Sequence, residues 1–109
     1  MANAYKVLGQ VLPPSSTNTN LYTAASNVST IISTLTVCNQ STSGTTVRLA
    51  VRPAGAAIEA KHYLVFDTFV AANDTLFLTI GISLAPTDVI TVYSGNATTS
   101  FHLYGTEVS

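Results

Sequence analysis

Apolar and polar side chains alternate along most of this chain with a period of two residues. The clearest example is the stretch 46–52, where Val47, Leu49 and Val51 point to one side of a strand and Arg48 and Arg52 to the other. Such alternation is typical of β-strands with one buried face. The pattern predicts strands at residues 5–12, 21–24, 28–39, 46–52, 61–66, 75–80, 82–84, 89–94 and 100–104.

Turn-forming residues separate these stretches, which supports the same division. Pro13-Pro14 ends the first strand because proline donates no ladder hydrogen bond, and Gly95-Asn96 precedes the last. The Ser/Thr/Gly loop at 40–44 predicts a hairpin between the third and fourth strands. Residues 56–60 fit either one helical turn or a bulged crossing. Further turns are expected at Ser26-Asn27, Pro53-Ala54-Gly55, Asn73-Asp74 and Pro86-Thr87-Asp88.

Eight or nine short strands without a helical repeat predict an all-β fold, an antiparallel β-sandwich in a single domain spanning residues 1–109. The pattern fits an Ig-like or a jelly-roll topology equally well. The core faces are expected to carry alternating apolar residues, among them Tyr5, Val7, Ile31, Leu35, Val37, Val47, Leu49, Val51, Tyr63 and Val65.

Charged residues are scarce, and this narrows the choice of partners. Only 8% of the chain is Asp, Glu, Lys or Arg, against about a quarter in typical soluble domains, and the net charge is −1. Neither nucleic acid nor a membrane is expected as a partner, because no basic field or long apolar run exists. Low charge favours contact between copies. The first residues do not resemble a signal peptide, so synthesis in a cytoplasm is expected.

Residues able to perform catalysis are few and scattered. His62 and His102 lie outside any recognisable acid–base motif, and structural or surface roles are expected for both. A metal site that combines them with Asp67 or Asp88 has no spacing to support it. We therefore predict no enzyme activity, no cofactor and no metal. The carboxylates are spread along the chain at Glu59, Asp67, Asp74, Asp88 and Glu107, and those beside turns are expected to bind local backbone.

Two arginines and one cysteine remain as candidate contact residues. Arg48 and Arg52 lie four residues apart on one strand face, about 13 Å at about 3.3 Å per residue. They are predicted as possible subunit or shell contacts, and two solvated side chains are the alternative. Cys38, the only cysteine, is expected to be either a buried small residue or a partly exposed thiol.

Seven stretches of the chain form a recognisable set when taken together, namely residues 4–10, 21–23, 33–39, 48–56, 72–75, 87–93 and 101–105. With these stretches, the chain as a whole resembles small virion structural proteins of tailed bacteriophages, notably those of cyanobacteria. The resemblance is nearly end to end but rests on structural patterns and carries no catalytic signature.

The resemblance implies a multicopy exterior protein of the phage particle with no activity of its own. Head decoration (cement), neck, and tail-fibre or baseplate positions all fit, and a homotrimer is expected by family analogy. Other virion proteins, such as major capsid or tail proteins, are the implied partners. The implied location is the virion, after synthesis in the host bacterial cytoplasm. No functional residue transfers with the resemblance.

The sequence also fits two other functions. A receptor- or carbohydrate-binding module of a phage tail fibre would display exposed aromatic residues at one end of the sandwich. A cytoplasmic interaction domain would instead be monomeric and absent from purified particles. The aromatic residues available to a binding module are Tyr22, Tyr63, Tyr93 and Tyr104.

Overall fold

The computed structural model describes residues 3–79 and 81–109, and within these ranges the chain forms nine strands in two antiparallel sheets. The all-β sandwich predicted from the alternation is confirmed. The predicted end of the sixth strand, Ile80, lies outside the described residues. The strands are β1 (Asn3–Val11), β2 (Thr19–Thr23), β3 (Ser29–Asn39), β4 (Thr45–Arg52), β5 (Tyr63–Val70), β6 (Thr75–Leu78), β7 (Ile82–Leu84), β8 (Val89–Ser94) and β9 (Thr99–Val108).

The order of the strands identifies the sandwich as a jelly roll. One sheet has the order β1-β9-β3-β6, with β7 also paired to β3, and the other has the order β2-β8-β4-β5. Strands pair from the two chain ends inward, β1 with β9, β2 with β8, β3 with β6 and β7, and β4 with β5. This is one long hairpin rolled into two sheets. The connectivity therefore selects the jelly roll over the Ig-like alternative.

The predicted hairpin of the third and fourth strands is wrong. β3 pairs with β9, β6 and β7 in one sheet, whereas β4 pairs with β5 and β8 in the other. The loop at 40–44 crosses the gap of about 10 Å between packed sheets. A hairpin and a sheet-to-sheet crossing need similar loop lengths, so the loop sequence does not distinguish them.

Bulges change which residues face the core in β1 and β3. The register shifts between Ile32 and Thr34, so Ile32 and Leu35 are both buried while Ile31 is 52% exposed. A bulge places an extra residue on one strand and interrupts the alternation. The expected core position of Ile31 is therefore wrong. The same happens in β1, where Tyr5 and Val7 are exposed.

The core lies between the two sheets and is built mainly from the central strands. β9 and β3 supply Phe101, Leu103 and Leu35, which pack against apolar residues of β4 and β8. Fully burying one such side chain stabilises the fold by about 1.5–3 kcal/mol. The predicted inward positions of β4 are confirmed, since Val47 and Leu49 are buried. Within the described residues, no helix is both long and apolar enough to span a membrane.

The connection between β4 and β5 positions the candidate site. It contains two short 3₁₀ turns, Pro53–Gly55 and Ala60–His62, joined by an extended segment. Of the two conformations expected for residues 56–60, neither one helical turn nor a simple bulge is found. Asp88 holds the first turn, because its Oδ1 accepts a hydrogen bond of 2.8 Å from the Ala54 N–H. The connection thereby lies beside the four-stranded sheet.

Candidate interaction surface

Arg48 lies at the centre of a cluster on the outer face of the four-stranded sheet. Its Nε donates to Asp67 Oδ1 at 2.6 Å and its Nη2 donates to Asp67 Oδ2 at 3.3 Å. The guanidinium carbon lies 4.3 Å from the centre of the Phe66 ring and 4.4 Å from that of Tyr93. A planar guanidinium suits both a carboxylate fork and ring stacking. The hydrogen bond to Asp67 raises the pKa of Arg48 above its ordinary value.

A bulge in β5 brings Asp67 to Arg48. Asp67 has a positive φ of 52°, and the β4–β5 register shifts between Val47 and Leu49 at this point. Bulges re-aim side chains at sheet edges, and aspartate tolerates the left-handed region better than branched residues do. We call Arg48, Tyr63, Phe66, Asp67 and Tyr93 the Arg48 cluster.

A shallow cavity of about 430 Å³ opens beside the Arg48 cluster. Tyr63 and Phe66 meet edge to face there, with ring centres 4.9 Å apart and an interplanar angle of 78°. Phe66 is 57% exposed, so its ring is available to a partner. The walls are formed by Ile58, Glu59, Ala60, Tyr63 and Phe66.

Arg52 has a different environment, although it shares the strand and face with Arg48. Its Nε donates to Thr91 Oγ1 at 3.0 Å, and its Nη2 donates to Asn20 Oδ1 at 3.0 Å. Its Nη1 donates to the backbone oxygens of Gly55 and Ala56 at 3.3 and 3.0 Å. Arg52 therefore ties the β4–β5 connection to the sheet. The guanidinium of Arg48, in contrast, is held by side chains of β5 and β8. The assignment of both residues as subunit or shell contacts stays a prediction.

The two histidines are held apart by the fold. His62 is buried in the turn Ala60–His62, not on the predicted strand, and its Nδ1 accepts the Glu59 backbone N–H at 3.0 Å. His102 lies on β9 in the other sheet, next to Gln10 and Ser100. The described residues include no group of three or more His, Cys, Asp or Glu side chains that could hold a metal ion.

The carboxylates beside turns bind backbone, as predicted. Asp88 Oδ2 accepts the Ala85 N–H at 2.9 Å, and Asp74 Oδ1 accepts the Thr75 N–H at 2.8 Å. Cys38 is a half-buried free thiol on the outer face of the five-stranded sheet.

The four tyrosines expected at one end of a binding module do not lie together. Tyr63 and Tyr93 belong to the Arg48 cluster, and Tyr104 lies on the five-stranded sheet. Tyr22 is buried between the sheets, so its expected exposure is wrong. The side chains of Ile58 and Phe66 at the cavity are residues that the sequence interpretation missed. Their exposure depends on the path of the β4–β5 connection, for which the sequence holds no periodic signal.

Tyr22 belongs to a polar cluster that joins four strands at one end of the sandwich. Its hydroxyl donates to Glu107 Oε2 at 2.5 Å and lies 2.8 Å from Thr30 Oγ1. Lys6 Nζ lies 2.6 Å from Glu107 Oε1. Burial, followed by the hydrogen bond to Glu107, raises the pKa of Tyr22 to about 12. The hydrogen bonds from Lys6 and Tyr22 lower the pKa of Glu107 below its ordinary value.

Replacing Glu107 with glutamine is expected to reduce the loss of unfolding free energy that the protein shows as pH falls from neutral to acid. A carboxyl whose pKa is lower in the folded state stabilises the fold above its unfolded-state pKa, and this stabilisation is lost as pH falls through the folded-state pKa. The difference in unfolding free energy between wild type and Glu107→Gln should therefore be largest near neutral pH and shrink in acid. Urea titrations between about pH 7 and pH 3 measure this difference.

Glu59→Gln is the matched control for this measurement. The Glu59 carboxylate is exposed and lies 3.9 Å from Lys61 Nζ. Exposed pairs at this distance contribute little to stability. The control should keep the acid-side slope of the wild type. Equal slopes for wild type and Glu107→Gln would contradict the assignment.

Comparison with known proteins adds one structural neighbour. No protein-family model and no curated protein matches the chain. A chain of infectious bursal disease virus, Gx strain, is similar in structure, with a TM-score of 0.57 and 13% sequence identity. The match covers 97% of this chain and 32% of that chain, so this protein spans about a third of its neighbour's length. At this identity, the likeness shows the shared fold alone.

Proposed function

We propose that this chain is a non-enzymatic structural subunit of a virus particle, present in many copies on its exterior. The observation that carries the proposal is the jelly-roll connectivity, which recurs in viral capsid domains. The likeness to a chain of infectious bursal disease virus supports it over nearly the whole length of this protein. The scarcity of charged residues also favours a surface that packs against other copies.

The surroundings of the titratable groups fit a structural role. Asp67 pairs with Arg48, Asp88 binds two backbone N–H groups, and Glu107 pairs with Lys6. Each of these carboxylates is engaged in holding strands or turns together. A nucleophile or general base instead needs a partner that activates it toward a substrate.

Within this role, we place the protein on the exterior of a tailed bacteriophage, as a decoration (cement), neck or tail-associated module. The sequence resemblance supports this finer placement. Major capsid or tail proteins are the proposed partners, and the Arg48 cluster is the proposed contact on the four-stranded sheet. A homotrimer follows from the same resemblance and stays a prediction.

Quantitative mass spectrometry of purified particles tests this proposal. Particles of the virus that encodes the chain are expected to contain it at a copy number comparable with those of the major structural proteins. Arg48→Glu should lower that copy number, because it reverses the charge of the proposed contact. Abundance in infected cells combined with absence from purified particles would reject the virion role.

Lys61→Glu is the control for the arginine, since Lys61 is an exposed cation on the β4–β5 connection. It makes the same change of charge outside the Arg48 cluster. The pair Arg48→Asp with Asp67→Arg separates the two roles of Arg48, because it preserves an ion pair within the chain and exchanges the charges. Restored copy number in this double variant would show that the internal pair matters and the contact does not.

A carbohydrate- or receptor-binding module is the second candidate, favoured by the cavity beside the Arg48 cluster. Sugar rings pack on exposed aromatic faces, and jelly rolls also occur in lectins. Tyr63 and Phe66 provide such faces, with the Glu59 carboxylate at the wall as a hydrogen-bond acceptor. Saturable binding on a glycan array, abolished by Phe66→Ala, would favour this function over a purely structural one.

A further inference from the structure

The outer face of the five-stranded sheet carries no Asp, Glu, Lys or Arg among the described residues, and we call it the neutral face. Strand register defines it, because alternate positions on paired strands share a side. One cross-strand row consists of Tyr5, Thr106, Ile31 and Ser83. Another consists of Gln10, His102, Thr36 and Phe77. Tyr104 lies between these rows, opposite Val7 and Thr34.

The charged residues of the same strands occupy the opposite positions. Lys6 on β1 and Glu107 on β9 alternate with the neutral-face residues and pair with each other at 2.6 Å. The outer face of the other sheet carries Arg48, Arg52 and Asp67. Lack of charge is therefore a property of one face and does not follow from the low total charge alone.

Large apolar side chains stand exposed across the neutral face. Tyr5 is 79% exposed, Phe77 is 68% exposed and Ile31 is 52% exposed. They lie on three different strands, with Ser and Thr hydroxyls between them. Tyr5 and Ile31 share one row and Phe77 lies in the other, so a partner that covers all three must cover most of the face.

We propose that the neutral face docks against the same face of a second copy of this chain, related by a two-fold axis. This inference rests on the proposed multicopy role and deepens it, and it replaces the homotrimer that the resemblance implies with a dimer in solution. A charged partner would lose the hydration of its ionic groups without gaining a counter-charge from the neutral face. An identical face brings no charge to bury, and a two-fold contact needs only one self-complementary patch.

The size of the face fits a stable pair. The sheet is four strands wide, because β6 and β7 pair with different parts of β3. Four strands at about 4.8 Å spacing give a width of about 19 Å, and nine residues at about 3.3 Å give a length of about 30 Å. The resulting area is roughly 600 Å² per copy, or roughly 1,200 Å² in total. Specific interfaces begin at about this total. The neutral face therefore suffices for a dimer without help from the sheet edges.

Analytical ultracentrifugation of the purified chain tests the proposal, with Thr36→Lys as the variant. Thr36 lies on the neutral face of β3, a central strand of the sheet, between His102 and Phe77. The wild type is expected to sediment with twice the mass of the chain. Thr36→Lys should weaken the dimer by at least about tenfold, because like charges would meet across the two-fold axis. Thermal melting checks that the variant is folded.

Two further samples make the result specific to the face. Leu64→Lys introduces the same charge at an exposed side chain of β5, in the other sheet, and should leave the dimer intact. Mixing Thr36→Lys with Thr36→Glu should restore dimers, because opposite charges then meet across the axis. Restoration also keeps the test decisive if one variant alone is less stable.

The outcomes separate this inference from the proposed function. A monomeric or trimeric wild type, or a dimer that Thr36→Lys leaves unchanged, would overturn the two-fold contact. Absence from purified particles would reject the virion role whatever the solution mass. A dimer that is disrupted by Thr36→Lys and restored by mixing supports the neutral face as the contact between copies.

Discussion

Replacing Asn39 with leucine is expected to lower the free energy of unfolding by about 3 kcal/mol or more. Asn39 is fully buried at the end of β3. Its Nδ2 lies within hydrogen-bonding distance of the backbone oxygens of Ser43, Val70 and Ala71, at 2.9, 3.2 and 3.2 Å.

The side-chain oxygen of Asn39 serves a second set of partners. It accepts the Ser41 backbone N–H at 3.0 Å and the Asn96 Nδ2 at 3.2 Å. Leucine fills nearly the same volume but removes the partner of one buried group, the Val70 oxygen, and of several partly buried ones. Each buried group left without a partner costs about 1–3 kcal/mol. One amide therefore holds the β3–β4 crossing, the end of β5 and the β8–β9 turn together.

Gln40→Leu is the matched control, because Gln40 is the next residue and is exposed. Its side chain makes one exposed hydrogen bond, to Ser100 Oγ at 3.3 Å. Exposed substitutions of this kind stay within about 0.5 kcal/mol. Urea denaturation of both variants measures the difference. Similar losses for Asn39→Leu and Gln40→Leu would show that the amide does not organise these loops.

The alternation of the sequence was sufficient for the class of fold but not for its topology. Period-two patterns report which residues share a strand face, and this held for Val47 and Leu49 in β4. Which strands pair depends on contacts distant in the chain, such as β1 with β9. The predicted hairpin between β3 and β4 failed for this reason. A local pattern of apolar and polar residues gives no information about which distant strand a given strand pairs with.

Bulges limited what the sequence could say about individual side chains. Ile31 and Ile32 are adjacent β-branched residues, so either assignment of faces satisfies the alternation before the bulge. Only the packing against β9 decides that Ile32 is buried. The exposure of Ile31 on the neutral face could not be predicted from the pattern, because the pattern does not show which side of β3 packs against the core.

The candidate site was predictable only in part. The spacing of Arg48 and Arg52 placed both on one strand face, which the structure confirms. The partner of Arg48, Asp67, is reached through a bulge with positive φ, and the partners of Arg52 come from β2, β8 and the β4–β5 connection. The two arginines look equivalent in the sequence but have different roles. Arg48 belongs to an exposed cluster, whereas Arg52 ties the β4–β5 connection to the sheet.

Replacing Gly105 with alanine is expected to destabilise the protein by about 3 kcal/mol or more, or to prevent folding. Gly105 lies on β9 opposite Lys6 and Ile32. A Cβ at this position would overlap the backbone oxygen of Ile31 and lie 3.0 Å from the Cα of Ile32. The obstacle is backbone of the neighbouring strand, which no change of side-chain rotamer relieves.

The position of Gly105 explains why this loss should spread through the sheet. β9 and β3 are the two central strands of the five-stranded sheet, and the bulge in β3 brings its backbone close to β9 here. Separating them would disturb the packing of Leu103 and Ile32.

Gly81→Ala is the control, because a Cβ there meets nothing within 4 Å. Chemical denaturation should show a large loss for Gly105→Ala and almost none for Gly81→Ala. If Gly105→Ala lost as little unfolding free energy as Gly81→Ala, β9 and β3 would be able to move apart at this point. The close approach would then not be a requirement of the fold.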